Sequence, residues 1–164
     1  LQSHPGVPSR LEVIPHKKEY TLIIDYTSKP SALKAVLETL KSMGKNRVIV
    51  VWGGAGGRSE DNWRSSARII NQLADEFVLT TDDPYDVDPK HIAQVVRKEI
   101  TREEGDGFFE LEDRYEAIRY ALLSAQSEDV VLIAGRGHEK FQTIGKKKIP
   151  FSEHAVCEEI LNKH

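Results

Sequence analysis

A cluster of glycines at residues 53–57, followed by Arg58, is the stretch of this sequence best suited to binding chemistry. Residues 47–52 before it form a continuous apolar run rich in β-branched side chains, which predicts a buried strand. Residues 59–74 after it favour a helix. A strand, a glycine turn and a helix in this order let backbone amides approach a ligand closely, and the guanidinium of Arg58 suits a carboxylate or a phosphate. A tight turn alone would also account for the glycines.

Two common nucleotide-binding patterns are excluded at this loop. Ala55 or Ser59 stands where the dinucleotide fingerprint requires a glycine. The loop also lacks the Gly-Lys-Ser/Thr sequence of a Walker A motif. The loop therefore predicts an anion site without naming its ligand.

Strands that alternate with helices along the chain predict an α/β fold. We expect three layers, with a Rossmann-like, mostly parallel sheet, helices on both faces, and an antiparallel edge strand and hairpin. The strands are predicted at residues 11–14, 20–26, 47–52, 76–81, 108–111 and 129–134, and the hairpin at residues 141–151. The helices are predicted at residues 31–43 and 59–74, from Pro89 onward, around residues 115–122, and at residues 153–163.

Four polar loops follow strands of this predicted sheet, and parallel sheets bind ligands beyond the carboxyl ends of their strands. The loops are residues 25–26, 53–58, 82–85 and 135–139. Together they supply glycine backbone, arginine, histidine and several carboxylates. This set suits a small zwitterion such as an amino acid, whose carboxylate would meet Arg58 and whose ammonium groups would meet Asp82, Asp83 or Glu139.

The composition limits the other classes of function. The chain has 164 residues, which suits one domain, and a net charge of -3 with interspersed signs, which argues against nucleic acid as a partner. Its single cysteine, Cys157, fits a reducing compartment and makes a poor nucleophile. No apolar run approaches the roughly 20 residues that span a bilayer, and no signal peptide opens the chain. We therefore expect a cytoplasmic protein with no membrane partner. A monomer is also expected, although the sequence itself does not reveal the oligomeric state.

The same loops, in this order, resemble motifs of the C-terminal domain of the Mur ligases of peptidoglycan synthesis. Within that family the sequence is most similar to the tripeptide synthetases, which add the third residue of the stem peptide. The matching segments extend over nearly the whole chain and are Arg10-Leu11-Glu12-Val13, Asp25-Tyr26 with Pro30 and Ala32-Leu33, the glycine cluster with Arg58, Asp82-Asp83-Pro84, and residues 134–139 with Gln142.

The resemblance implies a three-domain ligase of which residues 1–164 are the C-terminal, amino-acid-binding domain. An N-terminal domain would hold the UDP-linked muramoyl dipeptide, and a central domain would hold ATP and Mg²⁺. Since this chain has no Walker A loop, we expect the fragment alone to be inactive, with no catalytic and no metal-binding residue of its own. By position, the resemblance assigns nucleotide contacts to Arg10 and Asp25. It assigns the amino-acid pocket to Arg58, Asp82, Asp83, Tyr85, Gly135 and Glu139.

Departures from the family pattern bear on which amino acid is added. Tyr85 stands where enzymes that add meso-diaminopimelate carry an arginine, and Asp83 replaces an asparagine. Diaminopimelate has a distal carboxylate that favours a bidentate guanidinium, whereas lysine has only a distal cation. Both changes favour L-lysine.

Other departures from the family pattern lie outside this specificity position. The family's Gly-Arg becomes Ser9-Arg10 and a histidine becomes Ser28. In its Asp-Arg-Asp loop, the first aspartate becomes Gly57 and the second becomes Ser59.

Other readings of these residues remain open at this point. A ligase of the folylpolyglutamate or polyamide type would share the architecture, and a non-catalytic nucleotide- or phosphate-binding module would use residues 53–58 alone. Asp25 could cap the helix that begins near Pro30, and residues 82–83 could form an Asx turn. Arg136 could be a solvated charge.

Overall fold

The computed structural model describes residues 11–27, 29–43 and 46–164. The strands are β1 Glu12–Ile14, β2 Thr21–Asp25, β3 Val48–Trp52, β4 Glu76–Leu79, β5 Phe108–Glu110, β6 Val130–Ala134, β7 Phe141–Ile144 and β8 Lys147–Pro150. The helices are α1 Pro30–Ser42, α2 Glu60–Leu73, α3 Pro89–Arg97, α4 Arg114–Ser124 and α5 Glu153–Lys163. Every element predicted from the sequence is present, with its ends displaced by a few residues at most.

Six of the strands form one sheet in the order β1-β2-β6-β3-β4-β5. All neighbouring pairs are parallel except β1 and β2, so β1 is the expected antiparallel edge strand. The central strands β3 and β6 are buried along their whole length, because helices cover both faces of the sheet. The predicted α/β fold is confirmed.

The core is divided by the sheet into two apolar layers. One layer packs α1, α2 and α3 against strand residues such as Val50 and Leu132, and the other packs α4 and α5 against residues such as Val51 and Ile133. Successive residues of a strand point to opposite faces, so each central strand contributes to both layers. This three-layer arrangement fixes the strand ends from which the polar loops emerge.

Capping residues determine where most of the helices begin. Ser59, Asp88, Asp113 and Ser152 each accept a hydrogen bond from a backbone N–H of the first turn of α2, α3, α4 and α5. Each cap therefore sets the point at which a loop from the sheet edge turns into a helix.

The hairpin β7–β8 does not join the main sheet but forms a separate two-stranded sheet. Its tip contains Gly145 and Lys146, within the hairpin predicted at residues 141–151. Gln142 Nε2 donates to the carbonyl of Asp82 over 2.8 Å, and Tyr85 N donates to the carbonyl of Thr143 over 3.1 Å. The hairpin thus closes one side of the loop that follows β4. Among the residues that the structure describes, no helix has both the length and the apolar character to cross a membrane.

Candidate functional site

A cleft of about 430 Å³ lies beyond the carboxyl ends of β2, β3, β4 and β6. It is lined by Tyr26, Ala55, Gly57, Arg58, Asp82, Asp83, Tyr85, Gly135, Arg136 and Glu139. All six residues expected in the amino-acid pocket belong to this set. Four loops far apart in the sequence therefore do meet at one edge of the sheet, as the strand order requires.

The glycine loop and the acidic loop pack backbone against backbone. Gly56 N donates to the carbonyl of Asp83 over 2.8 Å, and a Cβ at position 56 would collide with the carbonyl of Pro84. Trp63 of α2 donates from Nε1 to the carbonyl of Ala55 over 2.7 Å and holds the loop from the other side. These contacts place Arg58, which is exposed, at the rim of the cleft beside the acidic loop.

Asp82 lies at the bottom of the cleft with only 4% of its surface exposed. Its Oδ1 accepts a hydrogen bond from Asp83 N over 2.6 Å, which is a contact with the adjacent residue and not the Asx turn that the sequence left open. Burial raises the pKa of the Asp82 carboxyl to about 6; the Arg114 and Arg136 charges oppose the rise, and Asp83 adds to it. The cleft floor therefore carries a carboxyl that a bound cation would help to ionise.

Asp83 is tied to a buried arginine. Arg136 Nη1 donates to Asp83 Oδ1 over 2.6 Å, and Thr143 N donates to the same oxygen over 2.8 Å. Arg136 also donates to the carbonyls of Phe141 and Phe151, at the two ends of the hairpin. Arg136 thus holds the acidic loop and the hairpin together.

The reading of Arg136 as a solvated charge is wrong, since it is 1% exposed. Behind it lies Glu153, whose Oε1 is 3.7 Å from Arg136 Nε and 2.7 Å from Arg114 Nη2. Arg114 in turn donates to the carbonyls of Thr81 and Ala134, the residues next to the acidic loop and the glycine turn. Burial opposes the charge of Arg114, but Glu153 outweighs it, and the pKa of Arg114 is raised.

The sequence did not single out Arg114 and Glu153 as residues that position the site. Each is the first residue of a helix, where a charged residue is usually solvated. Nothing in the local pattern distinguishes them from such residues, because their burial depends on each other across 39 positions of the chain.

Tyr85 and Tyr26 form aromatic walls of the cleft. Tyr85 has a positive φ of 51° and is 46% exposed, and the hairpin holds its backbone by the Thr143 contact and by a 2.6 Å hydrogen bond from Gly145 N to its carbonyl. Burial of the phenol, together with the nearby Asp83 charge, raises the pKa of Tyr85. Tyr26 was not among the predicted site residues; its ring centroid lies 5.8 Å from that of His138.

The two residues expected to contact a nucleotide have different outcomes. Arg10 lies outside the described residues. Asp25 is fully buried at the end of β2, where Thr27 Oγ1 donates to its Oδ1 over 2.9 Å. It does not cap α1, because the N-cap residue of that helix is Lys29. Asp25 therefore lies next to the cleft without lining it.

The cleft can bind charge of both signs. Arg58 supplies a guanidinium at the rim, and Asp82 and Glu139 supply carboxyl groups on other loops. This arrangement of charges suits the binding and orientation of a small charged molecule.

Cys157 lies apart from the cleft, buried among the apolar residues of α4 and α5. Its burial raises the pKa of the thiol, which fits its exclusion as a nucleophile.

Comparison with known proteins supports the family resemblance that the sequence motifs indicated. Residues 9–137 match the family described as "Mur ligase, glutamate ligase domain". The chain is 36% identical over 159 residues to a UDP-N-acetylmuramoyl-L-alanyl-D-glutamate–2,6-diaminopimelate ligase of Caldanaerobacter subterraneus subsp. tengcongensis, covering 97% of this chain and 33% of the relative. It is 39% identical over 160 residues to the ligase of the same name from Alkaliphilus metalliredigens, covering 98% of this chain and 32% of that protein.

Solved structures agree with these matches. A ligase structure of the same name superimposes with a TM-score of 0.86 at 31% identity, over 95% of this chain and 32% of that one. A bifunctional folylpolyglutamate synthase/dihydrofolate synthase from Yersinia pestis shares the fold at a TM-score of 0.59 and 19% identity, over 99% of this chain and 32% of its own. The chain thus spans about a third of the length of these relatives. It belongs to the Mur ligase family, as a glutamate ligase domain of that family.

Proposed function

We propose that this chain is the C-terminal, amino-acid-binding domain of an ATP-dependent ligase that adds a diamino acid to UDP-N-acetylmuramoyl-L-alanyl-D-glutamate. The observation that carries the proposal is the cleft in which Arg58 lies with Asp82 and Glu139. The names of the relatives support the acceptor, and their greater length supports upstream domains for the UDP-sugar and for ATP.

The chemistry gives such a domain a clear role. The carboxylate of the growing peptide is phosphorylated by ATP, and the amine of the incoming amino acid attacks the acyl phosphate and displaces phosphate through a tetrahedral intermediate. Because an acyl phosphate hydrolyses readily, the domain that carries the amine must close over the site, exclude water and align the attack. The cleft would hold the amino acid by the carboxylate and ammonium groups that do not react.

ATP and Mg²⁺ would be bound mainly by another domain of the complete protein, and this chain would contact the nucleotide from one side. The chain has no Walker A sequence, so a central domain would hold the triphosphate and the metal ion. The buried carboxylate of Asp25 is engaged by Thr27, which favours a role in fixing the loop after β2. Contact between Asp25 and a nucleotide would require that loop to open. The nucleotide contact that the resemblance assigns to Arg10 stays a prediction, because Arg10 lies outside the described residues.

L-lysine is the amino acid that the cleft suits best. Arg136 is buried, with one terminal guanidinium nitrogen bound to Asp83 and the other to backbone carbonyls, whereas Arg58 is exposed at the rim of the cleft. One exposed guanidinium matches the single carboxylate of lysine. Tyr85 supplies no charge where a second distal carboxylate would need one. Asp83 contributes less to this preference than its charge implies, because Arg136 neutralises it.

meso-Diaminopimelate is the second candidate, and the printed names of the relatives favour it. The shared fold also keeps a folylpolyglutamate-type ligase and a non-catalytic phosphate-binding module as outcomes of the test.

The test is an assay of the complete protein with ATP, Mg²⁺ and UDP-N-acetylmuramoyl-L-alanyl-D-glutamate against lysine, meso-diaminopimelate and glutamate. Release of phosphate and the mass of the nucleotide product are measured. A lysine-containing tripeptide product is expected, and reactions without the dipeptide are the control. A diaminopimelate product would overturn the lysine assignment alone, whereas no product with any amino acid would overturn the ligase proposal.

A further inference from the structure

Two histidines and a glutamate from distant parts of the chain meet on the surface at the β1 edge of the molecule. Glu12 lies in β1, His138 in the loop after β6 and His154 in the first turn of α5. One ligand atom from each residue lies within 4.8 Å of the other two. This cluster is separate from the cleft lining, although His138 is adjacent in sequence to Glu139.

The separations between ligand atoms in the cluster are close to those between the ligand atoms of a bound metal ion. His154 Nε2 is 2.7 Å from Glu12 Oε2, and His138 Nε2 is 4.0 Å from the same oxygen. Tetrahedral zinc with bonds of about 2.1 Å separates its ligand atoms by about 3.4 Å, which lies between these two values. The two imidazoles are stacked, with ring centroids 5.4 Å apart and planes 10° from parallel.

Little rearrangement is needed to bring the three ligands to equal separations. The His138 side chain is 70% exposed, so a rotation of this ring meets little steric resistance. The backbones of Glu12 and His154 lie in a strand and a helix, and their partly exposed side chains, now in contact, need to separate by less than about 1 Å. The backbone scaffold of the site is thus largely preformed, and the third ligand is mobile enough to complete it.

The ligand types select the class of ion. Two imidazole nitrogens and one carboxylate suit Zn²⁺ and related transition metals, whereas Mg²⁺ prefers oxygen ligands and retains its waters. We propose that Glu12, His138 and His154 form a binding site for one Zn²⁺ ion, with water completing the tetrahedron. The three residues are separated by 126 and 16 positions, so no local sequence motif identifies this site. From the sequence we expected no metal-binding residue in this chain.

A bound ion would connect three segments that otherwise meet through side-chain contacts. It would join β1 and α5 to residues 135–139, the loop that carries Glu139 to the cleft. The ring of His138 also lies 5.8 Å from that of Tyr26, another cleft residue. Zn²⁺ at this position would therefore restrain the loop from outside the cleft, independently of any Mg²⁺ that accompanies ATP.

The test is calorimetric titration of the metal-free 164-residue chain with ZnCl₂ and, separately, with MgCl₂. One equivalent of Zn²⁺ should bind, and Mg²⁺ should not. His138→Gln, His154→Gln and Glu12→Gln should each weaken Zn²⁺ binding by more than about tenfold, since even outer-shell partners of metal sites contribute 10–100-fold. His91→Gln is the matched control: it removes an exposed histidine that lies 2.9 Å from the carboxylate of Glu60, outside the cluster, and it should leave the affinity within about twofold.

A second measurement does not depend on how the variants fold. Co²⁺ added to the unmodified chain should give the intense visible absorption of tetrahedral coordination, and Zn²⁺ should displace it. Weak octahedral absorption, an absence of saturable Zn²⁺ binding, or equal losses in His91→Gln and the three cluster variants would each overturn the proposal. Because the test uses neither ATP nor an amino acid, its outcome is independent of the ligase activity.

Discussion

Arg136 and Asp83 form a buried ion pair in which the arginine Nη1 lies 2.6 Å from the carboxylate Oδ1. The pair joins the glycine turn after β6 to the acidic loop after β4, and Glu153 lies behind it, between Arg136 and Arg114. The charged residues of these loops are thus divided between two tasks. Asp83 and Arg136 hold the two loops in place, while Arg58, Asp82 and Glu139 face the cleft from the ends of those and neighbouring loops.

The buried carboxylate of Glu153 should be essential for folding stability. Glu153→Gln leaves Arg114 and Arg136 without their shared counter-charge, so the free energy of unfolding should fall by about 3–5 kcal/mol. Urea denaturation of the 164-residue chain measures this loss. Glu38→Gln is the control, because the Lys34–Glu38 pair is exposed on α1 and should contribute at most about 1 kcal/mol. Equal effects of the two substitutions would show that the buried cluster contributes no more than a surface pair.

Gly135 should not tolerate a side chain, for two separate reasons. Its φ of 114° is strained for any other residue, and a Cβ would stand 2.5 Å from Asp82 Oδ2. Gly105→Ala isolates the first reason, because Gly105 has a φ of 91° with no atom within 4 Å of a Cβ. Gly105→Ala should cost about 1–3 kcal/mol of stability. Gly135→Ala should cost more and should also weaken amino-acid binding by the complete protein. Matching losses of stability would exclude the predicted collision with Asp82.

Ionisation of Asp82 should lower the free energy of unfolding as the pH rises from about 4 to about 6. The unfolded carboxyl titrates near its ordinary pKa of 3.8, whereas burial raises the pKa of the folded one to about 6. The unfolded chain therefore loses this proton first, and the folded state becomes relatively less stable as the pH rises through that window. A shift of roughly two pKa units corresponds to an effect on the order of 3 kcal/mol.

Asp82→Asn cannot titrate and separates this effect from all other ionisations. Relative to the unmodified chain, the variant should gain stability as the pH is raised from about 4 to about 7, measured by urea denaturation at each pH. Parallel stability profiles of the two proteins would contradict the raised pKa.

Tyr85 should set the preference between lysine and diaminopimelate. Tyr85→Arg adds a guanidinium that can pair with a distal carboxylate, and such a charged hydrogen bond contributes about 1.5–3 kcal/mol. The ratio of kcat/KM for diaminopimelate to that for lysine should therefore rise by about tenfold or more in the complete ligase. Tyr85→Phe keeps the ring at the same positive φ without adding charge, so it should keep the preference for lysine. An unchanged ratio in Tyr85→Arg would remove this residue from the specificity of the pocket.

Much of this molecule could be predicted from its sequence because the signals are local. The apolar runs that became β3 and β6 and the loops that follow them were identifiable, and parallel topology then required Arg58 and Asp82 to lie at the same edge. The burial of Arg136 could not be predicted in this way. An arginine in a glycine turn is normally solvated. Here its charge is neutralised by Asp83 and Glu153, which the fold brings close from other parts of the chain.

The position of the hairpin also depends on contacts that no local pattern contains. Its two strands form a sheet of their own, and its place over the acidic loop follows from Gln142, Thr143 and the backbone of Tyr85. The cluster of Glu12, His138 and His154 depends in the same way on where β1 and α5 lie relative to the turn after β6.

The most direct test of the amino-acid cleft is the KM of the complete ligase for each substrate after Arg58→Ala. The KM for the amino acid should rise by about tenfold or more, since a charged hydrogen bond to its carboxylate is lost. The KM values for ATP and for the UDP-linked dipeptide should not change. Arg68→Ala, which removes an exposed arginine of α2 that pairs with Glu99, should leave all three values unchanged. An unaltered KM for the amino acid in Arg58→Ala, or an equal rise in Arg68→Ala, would contradict the assignment of this cleft.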